Sequence, residues 1–143
     1  MTEVAFHFNA PDKLAYACRL LRKAAGMGSR VAVTAEADFL QRLDTALWTF
    51  SPLDFVPHAT ERQGQALLEA SPVVLLGSVL DAPHQHVLLN LGESVPEGFE
   101  RFERLIEVVS LDDADRLRAR ERWKHYAARG YAIERKDLVL KAA

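Results

Sequence analysis

Two groups of residues in this 143-residue sequence combine types and spacings that could do chemistry. Toward the C-terminal end, Arg116, Arg120 and Lys124 recur at i, i+4 and i+8, with Trp123 beside them. On a helix of about 3.6 residues per turn, that spacing lines three cations along one side, among Leu117, Ala119, Ala127 and Ala128. A guanidinium and an ammonium next to an exposed indole can grip a carboxylate while the ring packs against an apolar side chain. Such a notch suits a short peptide ending in hydrophobic residues and a free C-terminal carboxylate. The helical wheel by itself favours a plainer arrangement, with Trp123 in the core and Arg120 reaching past it to a surface partner. On the opposite side, Arg118, Glu121, Arg122, His125 and Arg129 read as a solvated face. A third reading, nucleic-acid binding by this helix, is weakened by the interleaved acids.

The second group is Trp48 with Phe55-Val56-Pro57-His58 seven residues on. Two large aromatics near an edge strand can anchor a protein partner, although aromatics at such positions are more often core. Enzymatic signals are poorer. His58 is a general-base candidate as any histidine is, and His84 and His86 could ligate a metal only with a third ligand that no spacing supplies. Ser71 and Ser78 lack a nucleophile-elbow context, and Cys18 lies on the apolar stripe of a helix. Neither a P-loop nor the three-glycine dinucleotide fingerprint occurs, Asn9-Ala10-Pro11-Asp12 standing in the first strand–helix turn instead. No cofactor or metal is expected.

The elements that must position these residues alternate. Val4–Phe8 reads as a first strand, with Asn9 capping a helix through Leu14, Cys18, Leu21 and Ala25 that ends at Gly26 and Gly28. Val31–Thr34 precedes a second helix running to Trp48, and Pro57 makes the next segment an edge strand or loop. A short helix around 65–68 follows. Val73–Leu76 and Val87–Asn90 are continuous apolar runs, as in strands covered on both faces. Phe99 and Phe102 fall in a short helix, 105–109 is a strand, and the last helix spans about 112–129, closing at Gly130. Tyr131-Ala132-Ile133 is read as a final edge strand. This pattern predicts an α/β fold: three layers, with a mostly parallel central sheet flanked by helices, in a single domain over 1–143.

Composition fits that reading. At 49% apolar and 27% charged the chain is typically globular. One cysteine excludes an internal disulfide, no apolar run reaches the roughly 18 residues of a membrane span, and no basic-then-apolar leader opens the chain, so a cytoplasmic location is expected. Charge is uneven. Residues 116–136 hold eight basic residues against two glutamates, a net of +6, which leaves −8 on the rest to reach the overall −2. A basic block on an acidic protein points to one directed anionic partner.

Taken together, Leu43-Asp44-Thr45-Ala46-Leu47-Trp48 followed by Phe55-Val56-Pro57-His58, and Ala119-Arg120-Glu121-Arg122-Trp123-Lys124-His125-Tyr126 with Gly130 and Tyr131 after it, resemble the chi subunits of bacterial DNA polymerase III holoenzyme. The resemblance spans essentially the whole chain. It implies a noncatalytic clamp-loader accessory with an α/β fold and no working nucleotide site. It implies two partners: the acidic, phenylalanine-ended C-terminal tail of single-stranded DNA-binding protein, and the psi subunit that links to the clamp loader. Nucleic acid would be reached mainly indirectly. By motif position, Arg120 and Lys124, with Arg116, would hold the tail's charges and Trp123 would pack its terminal ring. Phe55, grouped with Trp48, would anchor psi. The family pattern has Tyr at the Trp123 position and Arg at that of Ala127, so the tail pocket here keeps its aromatic but loses one cation. The alternatives are a small hydrolase or transferase using His58 or His84/His86, and a direct single-stranded DNA-binding module.

Overall fold

A computed structural model describes residues 1–49 and 56–138. Among these residues seven strands, β1 (Glu3–Ala10), β2 (Val31–Thr34), β3 (His58–Thr60), β4 (Val73–Leu76), β5 (Val87–Asn90), β6 (Arg104–Ser110) and β7 (Ile133–Asp137), form one sheet in the order β3-β4-β2-β5-β6-β1-β7. Every pairing is parallel, so the expected mostly parallel sheet is wholly so. Each parallel step needs a crossover. Helices α1 (Lys13–Gly26), α2 (Ala37–Thr49), α3 (Gln65–Ala70) and α4 (Asp113–Ala128) lie in four of these connections.

Side-chain alternation along the strands divides the core into two layers. Val31, Val33, Val73, Leu75, Ile106 and Val108 pack with Ala17, Cys18 and Leu21 of α1 and Leu43 and Leu47 of α2. Val4, Phe6, Ala32, Val74, Leu88 and Leu105 point the other way. They meet Leu68 of α3, Ala119 and Tyr126 of α4, and Phe99 in the single helical turn Phe99–Arg101. The all-buried runs of β2, β4 and β5 are therefore strands covered on both faces.

Three local expectations are corrected. Asn9 does not cap α1. It adopts φ +69° in an irregularity of β1 between His7 and Ala10, and Asp12 caps the helix by accepting from the Ala15 amide at 3.1 Å. Asparagine is among the few side chains that enter the left-handed region readily, and Asp12 stands where the chain has already left the strand. The last strand begins at Ile133 and runs to Asp137, later than expected, because the amides of Gly130 (φ +82°) and Tyr131 close α4 by donating to the Ala127 and Tyr126 carbonyls. Finally, Arg122 is not on a solvated face. It is 2% exposed and lies in the inward row Asp115, Ala119, Arg122, Tyr126.

Candidate functional site

The inward row of α4 explains its outer one. Asp112 caps the helix by accepting from the Asp115 amide at 3.0 Å, and Asp115 itself accepts from the Ser110 amide at 2.8 Å and from Lys13 Nζ at 3.3 Å. Burial acts to raise the Asp115 carboxyl, but the Ser110 amide and the Lys13 charge outweigh it and hold the group below the usual carboxylate range. Further along, Arg122 Nε donates to Glu107 Oε1 at 3.0 Å and Nη1 donates to the Glu93 carbonyl at 2.9 Å. The Tyr126 hydroxyl and Asn90 Nδ2 also donate to Glu107. Burial pushes the Glu107 carboxyl up and these three partners pull it back; the Tyr126 hydroxyl is itself raised by burial and by Glu107. With these groups turned to the sheet, positions one residue further on rotate by about 100° to the flank that overlooks β1 and β7. Arg116, Arg120 and Trp123, each one residue beyond a member of the inward row, occupy that flank, and Lys124 follows about one turn after Arg120.

There they line a hollow of about 420 Å³ together with Phe8 of β1 and Arg135 of β7. Its floor is aromatic. Trp123 lies 5.0 Å from Phe6 and 6.0 Å from Phe8 between ring centroids, and the two phenylalanines stack at 5.7 Å. Trp123 is half-buried, so one side of the indole is fixed by packing while another faces the hollow. The rim is cationic and contains no carboxylate. Arg116 Nη2 donates to Asn9 Oδ1 at 3.0 Å, a neutral partner that orients the guanidinium without cancelling its charge. Lys124 meets Glu121 at 3.5 Å with both side chains largely in water, a contact worth little. Arg120 is exposed and has no hydrogen bond or ion pair with any described residue. A fixed aromatic surface beneath converging cations can take an apolar side chain and a carboxylate at once.

All four residues predicted for one site are thus brought together. The plainer helical-wheel arrangement, with Trp123 sealed in the core, does not hold. Phe8, Asn9 and Arg135 were missed as site residues. Aromatic spacing in the first strand and the basic character of 116–136 hinted at two of them, but only the β1–β7 pairing, Phe8 opposite Asp137 and Phe6 opposite Arg135, places them beside α4.

The second group is only partly described. Phe55 lies outside the described residues. Trp48, expected more readily in the core, is 58% exposed at the end of α2, its ring 5.5 Å from that of His58. The inward positions of α2 are taken by Leu43 and Leu47, which turns Trp48 outward.

Of the candidates for catalysis, His58 is tied into the fold. His58 Nε2 meets Asp44 Oδ1 at 2.8 Å and Nδ1 meets the Val56 carbonyl at 2.7 Å, which engages both ring nitrogens. His86 pairs with Glu103 at 3.5 Å. His84 is kept neutral by burial first, then by Arg30 and His86, its pKa lowered to about 4. No group of three His, Cys, Asp or Glu able to hold a metal occurs among the described residues. Cys18 is buried on α1. At the carboxyl ends of the strands, where such sheets usually bind ligands, the Gly77 amide donates to Glu61 at 2.7 Å and the Glu93 amide to Glu36 at 3.1 Å. These carboxylates of the chain itself occupy donors that a phosphate would need.

Among the described residues, no helix is long and apolar enough to cross a membrane. The family model described as DNA polymerase III chi subunit, HolC, matches residues 1–134. The chain is 33% identical to the DNA polymerase III subunit chi of Pseudomonas aeruginosa, over 94% of this chain and 95% of that one. It is 28% identical to that of Haemophilus influenzae, over 85% of each, and 27% identical to that of Escherichia coli, over 81% and 79%.

Proposed function

The chain belongs to the DNA polymerase III chi subunit family, a noncatalytic replication accessory of the holoenzyme, and from that premise we propose that its α4–β7 hollow captures the acidic C-terminal tail of single-stranded DNA-binding protein. The observation that carries this reading is the joint lining of one hollow by Arg116, Arg120 and Lys124 above a Trp123–Phe8 floor. The terminal carboxylate and the acids before it meet the cations, and the terminal aromatic ring lies on the indole. Because the tail is a free chain end, recognition needs no deep cavity, only a preformed corner. The chain then carries single-stranded DNA-binding protein to the clamp loader through psi, which docks at Trp48, exposed at the end of α2, and at Phe55, seven residues on in the sequence. The work of the chain is adaptor work in the cytoplasm, and its hold on DNA is mainly through the tail it binds.

The test is a titration of the wild-type protein with a synthetic acidic peptide ending in Pro-Phe, as free acid and as C-terminal amide. Saturable binding of the free acid, weakened by about tenfold or more on amidation, is the expected result. Equal binding of the two forms removes the carboxylate from the recognition mechanism and refutes the reading. A labelled oligonucleotide titrated with and without the peptide separates direct DNA binding from recruitment through the tail.

A further inference from the structure

The hollow has a second wall that the helix does not supply. Arg135 projects from β7, an edge strand, and its guanidinium carbon sits 4.4 Å from the centroid of the Phe8 ring. Stacking on an aromatic face holds the planar group in place. Its Nε is turned to Asp137, at 3.1 and 3.2 Å from the two carboxylate oxygens. The Nη groups form the part of the fork that this pairing leaves for a ligand. Arg116, Arg120 and Lys124 all come from one line on α4, whereas Arg135 reaches the same space from the sheet. Cations on two walls offer more than a single terminal carboxylate needs. Two acidic groups a few ångströms apart along a chain can use both walls.

We propose that Arg135 is a further specificity-determining residue of this site. It meets an acidic side chain upstream of the bound chain end, while the α4 cations take the terminal carboxylate. The site then distinguishes an acidic peptide end from a merely hydrophobic one. This assignment rests on the tail reading above and extends it to the sheet side of the hollow.

The assignment is tested by titrating wild type, Arg135→Ala and Arg120→Ala with two free-acid peptides ending in Pro-Phe, one with upstream aspartates and one with asparagines in their place. Arg135 is an exposed residue of an edge strand, so the variant keeps its fold, checked by circular dichroism. Wild type is expected to prefer the aspartate peptide. Arg135→Ala is expected to lose about three- to fivefold in affinity for that peptide and little for the asparagine one, narrowing the preference. Arg120→Ala is expected to weaken both. Arg135→Ala binding both peptides as wild type does, or losing equally on both, overturns the assignment while leaving the tail reading intact. Wild type binding neither peptide refutes the tail reading and this assignment with it.

Discussion

Arg122 Nε lies 3.0 Å from Glu107 Oε1, with the two side chains 2% and 0% exposed. This buried pair joins α4 to the middle of β6, and the residue after Arg122 is the Trp123 that floors the hollow. Desolvating two charges costs much of what their attraction returns, and here the buried Arg122 Nη2 has no hydrogen-bond partner among the described residues. The pair therefore adds less to stability than its short distance alone suggests. Removing one member is another matter, because the remaining charge is left uncompensated.

Arg122→Ala is accordingly expected to destabilise the protein by about 3 to 5 kcal/mol, and Tyr126→Phe, which deletes one hydrogen bond to Glu107, by about 1 to 2 kcal/mol. Urea denaturation followed by circular dichroism measures both. An Arg122→Ala variant as stable as wild type contradicts the buried position of the pair.

A pH dependence follows from His7, a residue 8% exposed whose Nδ1 lies 2.6 Å from the Tyr16 hydroxyl. Burial, with Lys136 and Arg104 nearby, lowers its pKa from 6.5 to about 4. Between those values the unfolded chain binds the proton and the folded chain does not, so this group's contribution to stability falls as pH drops from about 6.5 to about 4 and is level above that window. Glu107, raised by burial, acts in the opposite sense, so the informative quantity is a difference between proteins. His7→Gln, which keeps an acceptor for Tyr16, is expected to flatten the fall in urea midpoint between pH 6.5 and 4 relative to wild type. Identical slopes in the two proteins refute it.

Trp48→Ala is expected to change stability by no more than about 1 kcal/mol, since the ring is mainly in water. The same variant is expected to lose psi in a pull-down while keeping single-stranded DNA-binding protein, with Arg120→Ala behaving in reverse. Loss of both partners from each properly folded variant contradicts two separate faces.

Much of this was legible in the sequence, and the exceptions share a cause. The apolar runs Val73–Leu76 and Val87–Asn90 identify covered strands because hydrophobic burial leaves a local imprint. The outer line of α4 could be read from spacing for the same reason. Arg122 could not, since its inward row is largely polar and its partner Glu107 lies fifteen residues earlier in the sequence on β6. Periodicity locates apolar faces and is silent on a polar one. Asn9 and Arg135 escaped notice because their roles depend on non-local neighbours: the first on Arg116, 107 residues away, the second on the parallel crossover that sets β7 beside β1. Trp48 shows the converse. Its hydrophobicity suggested burial, yet Leu43 and Leu47 fill the inward face of α2 and leave it outside.

Salt offers an independent check on the hollow's electrostatics. Four cations line it without a carboxylate, so affinity for an acidic peptide is expected to fall steadily between low salt and about 0.5 M, where screening acts over only a few ångströms. The fall should be shallower than for duplex DNA, whose binding releases many counterions. Salt-independent binding would place the ligand elsewhere.

The most direct measurement is the affinity of Arg120→Ala for the acidic Pro-Phe free-acid peptide, by calorimetric titration beside wild type with thermal melts of both. A charge-assisted hydrogen bond contributes about 1.5 to 3 kcal/mol, so the variant should bind about tenfold to over a hundredfold more weakly with an unchanged melt. A correctly folded Arg120→Ala protein that binds this peptide as tightly as wild type would mean that the chain end is not held in the α4–β7 hollow.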